Sequence, residues 1–196
     1  AEETKHGWNA WDEAAWDAVN WEGNFIQRQP YDSAAPSQNT EFKILYDDNN
    51  LYIAIMAYDT EPDKIERRLS RRDQLDGDLI SISIDSYSDK LTAFEFIVSA
   101  SGVKSDKMVT NDTDEDDSWD PVWYVKTSVS DKGWMAEMKI PYSQLRFAQK
   151  NNYVWGLQIA RWVFRQEELS VWQYIPVESS RWVSMFGELH AIHDIY

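Results

Sequence analysis

A series of short apolar segments, patterned with a period of two, constrains the fold more than any other feature of the chain. The clearest segments are 42–46 and 51–58, which the sequence Asp-Asp-Asn-Asn separates at 47–50. This pattern predicts strands with a buried face, and Asp and Asn between two strands favour a hairpin turn. Further strands are predicted at 79–85, 92–99, 103–109, 122–130, 134–140, 153–164, 170–175 and 186–190.

The close spacing of these segments predicts an all-β fold, an antiparallel β-sandwich of jelly-roll type with about eight to eleven strands. Helical patterns are confined to residues 12–19, residues 62–69 and one turn at 141–145. Because no long helices alternate with the strands, an α/β fold is excluded. The 196 residues contain no repeat, linker or low-complexity tail, so we expect a single domain over 1–196.

The charge of the chain limits its partners. The formal net charge is −15, which disfavours nucleic acid and anionic membrane surfaces as partners, since both attract clustered Lys and Arg. No apolar run reaches the roughly 18 residues of a membrane span, so we expect no direct membrane insertion.

The absence of Cys excludes disulfides and thiol chemistry. The chain begins at Ala1 without Met, and we expect that a targeting segment has been removed.

Two acidic segments predict a structural calcium ion. Residues 73–78 place three carboxylates around a glycine, and residues 111–120 form the densest acidic stretch of the chain. Crowded carboxylates repel one another unless a hard cation or water screens them, and Ca²⁺ prefers such oxygen ligands. The competing interpretation is that these loops are solvated acid that serves solubility alone. The candidate ligands are Asp73, Asp76, Asp78, Asp112, Asp114, Asp116 and Asp120.

Aromatic and polar side chains near these loops suggest a surface for an uncharged, hydroxylated ring. Trp119 lies near the end of the acidic stretch and Trp123 follows it. Two indole faces could stack on a sugar, although core packing would also explain them. Strand alternation places Gln158 and Trp162 on one face and Arg161 and Arg165 on the other. The candidate residues for stacking or hydrogen bonding are Trp119, Trp123, Arg72, Gln158, Arg161 and Trp172.

Catalysis has little support in the sequence. The chain has no phosphate loop, no nucleophile elbow and no HExxH motif, and nothing singles out one pair of its many carboxylates. Only His190, His193 and five Met residues could ligate a haem, so haem binding is a weaker alternative. We therefore expect a binding protein and not an enzyme.

A series of motifs in order resembles the family 9 carbohydrate-binding module. The most specific are Tyr46-Asp47-Asp48-Asn49-Asn50-Leu51-Tyr52 and Gly133-Trp134-Met135-Ala136-Glu137, the latter followed by Ile140-Pro141. Others that fit are Trp16 after Asp12-Glu13-Ala14-Ala15, Tyr58-Asp59, Asp85-Ser86-Tyr87 and Ser118-Trp119-Asp120-Pro121-Val122-Trp123. The resemblance covers essentially the whole chain. It is strongest to the domain of this type at the front of bacterial outer-membrane proteins.

The resemblance implies a β-sandwich that binds an oligosaccharide or polysaccharide between aromatic side chains, with calcium as a structural ion. It also implies export to the bacterial periplasm, outer membrane or cell surface, with a membrane β-barrel in the same parent chain as a partner. The alternative function is an interaction or plug domain of an outer-membrane protein that binds no sugar, in which the aromatic residues belong to the core.

Overall fold

The alternating segments of the chain form two β-sheets that face each other. The computed structural model describes residues 2–3, 13–193 and 195. The first sheet has five strands. Their order across the sheet is β1 (Glu2–Glu3), β3 (Thr40–Tyr46), β4 (Asn50–Tyr58), β10 (Gly133–Pro141) and β9 (Tyr124–Ser130).

The second sheet has eight strands, and seven of them follow one another across it. Their order is β2 (Ile26–Gln29), β12 (Glu168–Val171), β11 (Asn152–Val163), β5 (Leu79–Asp85), β6 (Ala93–Ser99), β7 (Lys104–Thr110) and β8 (Asp114–Asp116). The eighth strand, β13 (Gly187–His193), pairs with the first half of β11, and β12 pairs with its second half. Apart from the parallel pair β1–β3, the pairs are antiparallel, so the predicted sandwich is confirmed.

A single apolar cluster fills the space between the two sheets. Ile53 and Ile55 of β4 face Ile80 and Ile82 of β5 across this core, and none of the four is exposed to solvent. Burial of such a side chain contributes about 1.5–3 kcal/mol, which is why the alternate positions of these strands hold the sheets together. Trp134 and Trp155 are also fully buried and join the same cluster.

The structure contains more strands than the sequence predicts. Thirteen strands occur among the described residues, and β1, β2 and β8 are the ones that the sequence did not indicate. The first two lie before residue 42, where the first predicted strand begins, and β8 falls in the acidic stretch. Each has two to four residues, too few for alternation to show.

The helices are shorter than predicted. The predicted helix 62–69 is a single 3-10 turn at Pro62–Lys64, because Ile65 is already extended and its side chain packs into the core. The predicted helix 12–19 is α1 (Glu13–Asp17), and Asp12 lies outside the described residues. Further 3-10 turns occur at Tyr142–Gln144, Phe164–Gln166 and Val183–Met185. In the described part of the chain, no helix has the length and hydropathy needed to cross a membrane.

Candidate functional site

The two tryptophans predicted to stack on a sugar are packed against the core. Trp123 is 1% exposed, and its indole N–H donates to Asp106 Oδ2 at 2.9 Å. Trp119 is half-buried, with its ring centroid 5.0 Å from that of Phe94 and 5.4 Å from that of Phe96. The structure therefore corrects the stacking role predicted for Trp123, which has no free face, and the core interpretation of both indoles describes their contacts.

Arg72 lies beside this pair of tryptophans and is held by carboxylates. One of its terminal nitrogens donates to Asp106 Oδ2 at 2.9 Å and also contacts Asp120. Burial raises the pKa of Asp106, while the Trp123 N–H and the Arg72 charge act in the opposite direction. Arg72 thus compensates a buried acid that fixes Trp123, and this assignment explains its position without a ligand.

Gln158, Arg161 and Trp172 are in three different environments. Gln158 is 1% exposed, and its amide makes two hydrogen bonds to the backbone of Gln173. It donates to the Gln173 carbonyl at 2.7 Å and accepts from the Gln173 N–H at 2.9 Å. Trp172 points inward and packs edge-on against Phe42. Gln158 and Trp162 share the outer face of β11 while Arg161 points inward, as alternation predicted.

Arg161 is a buried charge and not a ligand-facing one. It is 1% exposed and donates to the Asn39 carbonyl at 2.8 Å and to Thr40 Oγ1 at 3.2 Å. Burial lowers its pKa to about 10, although Asp59 and Asp78 partly offset this effect. The expected contact with a sugar is therefore wrong for Arg161 in this structure.

The three predicted calcium ligands of segment 73–78 point to different partners. Asp78 is fully buried and accepts the Glu66 N–H at 2.7 Å, and burial raises its pKa. Asp76 pairs with Arg68 at 3.2 Å, and Asp73 lies 3.7 Å from Arg72. These contacts leave no shared space for a cation.

The four predicted ligands of segment 111–120 also diverge. Asp112 accepts the backbone N–H groups of Trp182 and Ser184 at 3.0 and 2.8 Å. Burial alone would raise the pKa of Asp112, but these donors lower it. The remaining three bind Asn111, Ser118 and Arg72; they are Asp114, Asp116 and Asp120. Within the described ranges, no three acidic or histidine side chains converge, so these residues do not fit a calcium ion.

The outer face of the eight-stranded sheet carries polar side chains that are shielded from solvent. Four of them stand side by side on adjacent strands, and we call them the polar row. In order from β11 to β7 they are Gln158, Ser83, Glu95 and Lys107. On a flat exposed face these side chains would be solvated, but Ser83 and Glu95 are only 1% and 7% exposed. The polar row therefore lies below the surrounding surface, where other parts of the chain shield it from solvent.

The segment 172–186 forms one wall of this recess. It leaves β12, is tied to β11 by Gln158, and returns across the sheet so that Val183 packs on Ala93 and Val109. Asp112 fastens the same segment from the opposite side through Trp182 and Ser184. The half-buried Trp182 indole is consequently fixed at one border of the polar row.

A second indole borders the recess on its other side. Trp162 of β11 is half-buried and lies opposite Leu79 of β5, four residues along the strand from Gln158 in the polar row. Ser81 and Ile97 occupy the row between them and are also half-buried. We refer to the polar row with Ser81, Ile97, Trp162 and Trp182 as the outer-face recess.

A buried ion pair dominates the electrostatics of the recess. Lys107 Nζ lies 3.5 Å from Glu95 Oε2 and 2.6 Å from Glu115 Oε1. Burial raises the pKa of Glu95, against the opposing effects of the Lys107 charge and a hydrogen bond from Ser81. A carboxylate has about four acceptor sites and an ammonium three donors, so this pair keeps capacity for hydroxyl groups.

Sequence reasoning found Gln158 in this recess and missed the rest. A signal was present, since Glu95 stands between Phe94 and Phe96 in an otherwise apolar strand. A charge at that position must be paired or lie beside a ligand. The partners that complete the recess, Lys107 and Trp182, come from distant parts of the chain and have no local signature.

Comparison with known proteins places this fold in a family. The family described as carbohydrate family 9 binding domain-like matches residues 5–169. No curated protein matches the sequence. Two solved structures of a family 9 carbohydrate-binding module from Caldicellulosiruptor kristjanssonii are similar in fold. The complex with cellotriose has a TM-score of 0.68 at 20% identity, covering 96% of this chain and 90% of that one. The complex with glucose has a TM-score of 0.67 at 19% identity, covering 97% and 95%.

A third solved structure shares the fold at lower identity. This protein from Bacteroides uniformis, described as a candidate carbohydrate-binding protein, has a TM-score of 0.71 at 10% identity, covering 90% of this chain and 88% of its own. At these identities the three structures show the fold alone. The family match is the stronger finding, because it spans well over half of the 196 residues. By that match, the chain belongs to the carbohydrate family 9 binding domain-like family.

Proposed function

We propose that this domain binds carbohydrate in the outer-face recess. The observation that carries the proposal is the polar row, four shielded hydrogen-bonding side chains on adjacent strands with an indole on either side. The Caldicellulosiruptor kristjanssonii module of this fold was solved with cellotriose and with glucose, which supports the same ligand class here. Members of this family are binding modules, and the chain is not an enzyme.

The recess offers both kinds of contact that a sugar ring requires. The face of Trp162 can cover aliphatic C–H groups, and such stacking needs no charge on the ligand. One face of Trp182 is already covered by the Arg28 guanidinium, 5.5 Å from the ring centroid, so its opposite face is the one that a sugar can contact. Glu95 can accept from hydroxyl groups while Lys107 donates to them, and a hydrogen bond to a charged group contributes about 1.5–3 kcal/mol. Gln158 and Trp162 are four residues apart on β11, about 13 Å at the rise of a strand, and this distance suits a ligand longer than one ring.

Isothermal titration with glucose, cellotriose and a wider panel of oligosaccharides tests this proposal. We expect Trp162→Ala and Glu95→Gln each to weaken binding about tenfold or more, as the loss of a stacking face or a charged acceptor predicts. Trp21→Ala is the matched control, because this indole is 37% exposed and lies outside the recess. Thermal melts of each variant verify folding.

The result that refutes the proposal is also defined by these variants. If a sugar binds and Trp162→Ala binds it as tightly as the wild type, the site is elsewhere. If no sugar binds at millimolar concentration, the domain is an interaction or plug domain instead. The core packing of Trp119 and Trp123 favours that second function, because it removes the stacking pair that the sequence suggested.

Calcium binding, export to the bacterial envelope and attachment to a membrane β-barrel stay predictions from sequence. For calcium, the seven candidate carboxylates each have protein partners and do not converge. We therefore assign no residue to a metal in this proposal, and the sugar contacts above require none.

A further inference from the structure

A second concave site lies at one end of the sandwich, apart from the outer-face recess. It has a volume of about 930 Å³ and is bordered by the β3–β4 turn, the segment after β5 and the segment after β10. None of the recess residues lines it. We call this site the end basin, and its polar lining consists of Asn49, Asn50, Tyr87, Ser143, Arg146 and Gln149.

The charge of the end basin contrasts with that of the chain. The protein carries a net charge of −15, but among the residues that the structure describes no carboxylate lines the basin, and Arg146 is the one charged residue of that lining. Asp47, one of the two acids of the β3–β4 turn, makes its hydrogen bonds within that hairpin. Asp47 accepts the backbone N–H groups of Asn49 and Asn50 and the hydroxyl of Tyr52, at 2.7–2.8 Å.

The guanidinium of Arg146 is available to a ligand. Arg146 is exposed and, among the residues that the structure describes, its side chain has no hydrogen bond or ion pair. A guanidinium binds a carboxylate through two parallel N–H···O bonds, and it does so more specifically than an ammonium. The amides of Asn49 and Gln149 beside it can donate to or accept from hydroxyl groups.

Aromatic side chains give the basin a firm wall. Tyr87 is 41% exposed, and its ring is supported by Phe94 at a centroid distance of 6.2 Å. Phe147 is half-buried and packs against Tyr142, Tyr153 and Trp155. Tyr142 is 3% exposed, and its hydroxyl has no hydrogen-bond partner in the described part of the protein. The basin thus combines an open aromatic face with unused polar groups.

We infer that the end basin is a second ligand site, for an acidic saccharide whose ring carries a carboxylate. Arg146 binds the carboxylate, the amides bind ring hydroxyls and Tyr87 covers an aliphatic face of the ring. A neutral sugar would leave the guanidinium without a partner, and an anion without a ring would leave the aromatic wall unused. Both kinds of ligand should therefore bind less tightly than a hexuronate.

Isothermal titration with trigalacturonic acid and its fully methyl-esterified form tests this inference, because the two ligands differ mainly in charge. We expect the acid to bind at least about tenfold more tightly than the ester. Arg146→Gln should bring the ratio of the two affinities close to one, and Tyr87→Ala should weaken the binding of both ligands. Arg67→Gln, a change at another exposed arginine, is the matched control. The variant Trp162→Ala should bind trigalacturonic acid as the wild type does.

Several outcomes would overturn the inference. Equal binding of acid and ester, unchanged binding in Arg146→Gln, or no binding of the acid at millimolar concentration would each do so. Loss of acid binding in Trp162→Ala would place the acidic sugar in the outer-face recess, which contradicts a second site. Failure of the recess to bind neutral sugars leaves these measurements unaffected, so the two proposals can fail separately.

Discussion

Replacement of Asp59 by Asn should destabilise the fold strongly, because this carboxylate compensates two arginines at one end of the sandwich. Asp59 is 5% exposed, and Arg165 donates to both of its oxygens at 2.8 Å. Arg161 Nη2 lies 3.9 Å from the same carboxylate and has no hydrogen bond among the described residues. Asparagine keeps the shape of the side chain and removes its charge.

The expected cost follows from the burial of these partners. Removal of one partner from a buried ion pair costs about 3–5 kcal/mol, since an uncompensated charge remains. Asp78 and Glu168 also act on Arg161, so we expect the lower end, about 3 kcal/mol. For a domain of this size, such a loss lowers Tm by about 6–12 °C. Urea unfolding at pH 7 measures the free energy, with the exposed turn residue Asp48→Asn as control.

The pH dependence of this effect has a definite sign. Burial alone would raise the pKa of Asp59, but the hydrogen bonds and charge of Arg165 lower it below its ordinary value. In the unfolded state the pKa of an Asp side chain is about 3.9. A group whose pKa is lower in the folded state stabilises the fold at pH values above about 3.9, and this contribution is lost as the pH falls through the folded-state pKa. The difference in the free energy of unfolding between the wild type and Asp59→Asn should therefore become smaller below about pH 4. A cost under about 1 kcal/mol at pH 7, or a gap that stays constant in acid, would refute the reasoning.

Three further perturbations test other parts of the structure. Gly133→Ala should lower the free energy of unfolding by more than about 1 kcal/mol in chemical denaturation, because φ is +136° and a Cβ would lie 2.1 Å from the Ala57 carbonyl oxygen. Gly23→Ala should be nearly neutral, because a Cβ there would lie 3.4 Å from its nearest neighbour, the Thr40 carbonyl oxygen. Asp112→Ala should lower the free energy of unfolding by about 1–3 kcal/mol and weaken the binding of any sugar that contacts Trp182. Asp114→Ala should change the free energy of unfolding by less than about 0.5 kcal/mol. Millimolar Ca²⁺ and Mg²⁺ should raise Tm by similar small amounts through charge screening; a rise with Ca²⁺ alone that EDTA reverses would show a specific site instead.

The sequence predicted the architecture well because alternation reports burial directly. The strands from β3 to β7 and from β9 to β11 lie within two residues of their predicted bounds. Alternation also placed Gln158 and Trp162 on one face of β11 and Arg161 on the other. These are local properties, since each depends only on the pattern within one strand.

The candidate site was harder to predict because its contacts join distant residues. Trp123 follows a polar loop. The polarity of a loop indicates that its backbone lies at the surface, but it does not predict whether a neighbouring indole points toward solvent or toward the core. That direction is set by Asp106, 17 residues away, which accepts its N–H. In the same way, Asp112 finds its partners 70 and 72 residues further along, at Trp182 and Ser184. Only the fold brings such pairs together.

The acidic loops organise the backbone by a mechanism that needs no cation. Several loop carboxylates accept backbone N–H groups two to five residues further on; they are Asp47, Asp85, Asp89 and Asp116. Donors of this kind stabilise a carboxylate as a nearby positive charge does, and they satisfy amides that a strand or helix leaves unpaired. Asp112 applies the same chemistry over a longer distance and holds the segment that carries Trp182. The densest acidic stretch of the chain thus fixes the position of an indole through backbone hydrogen bonds.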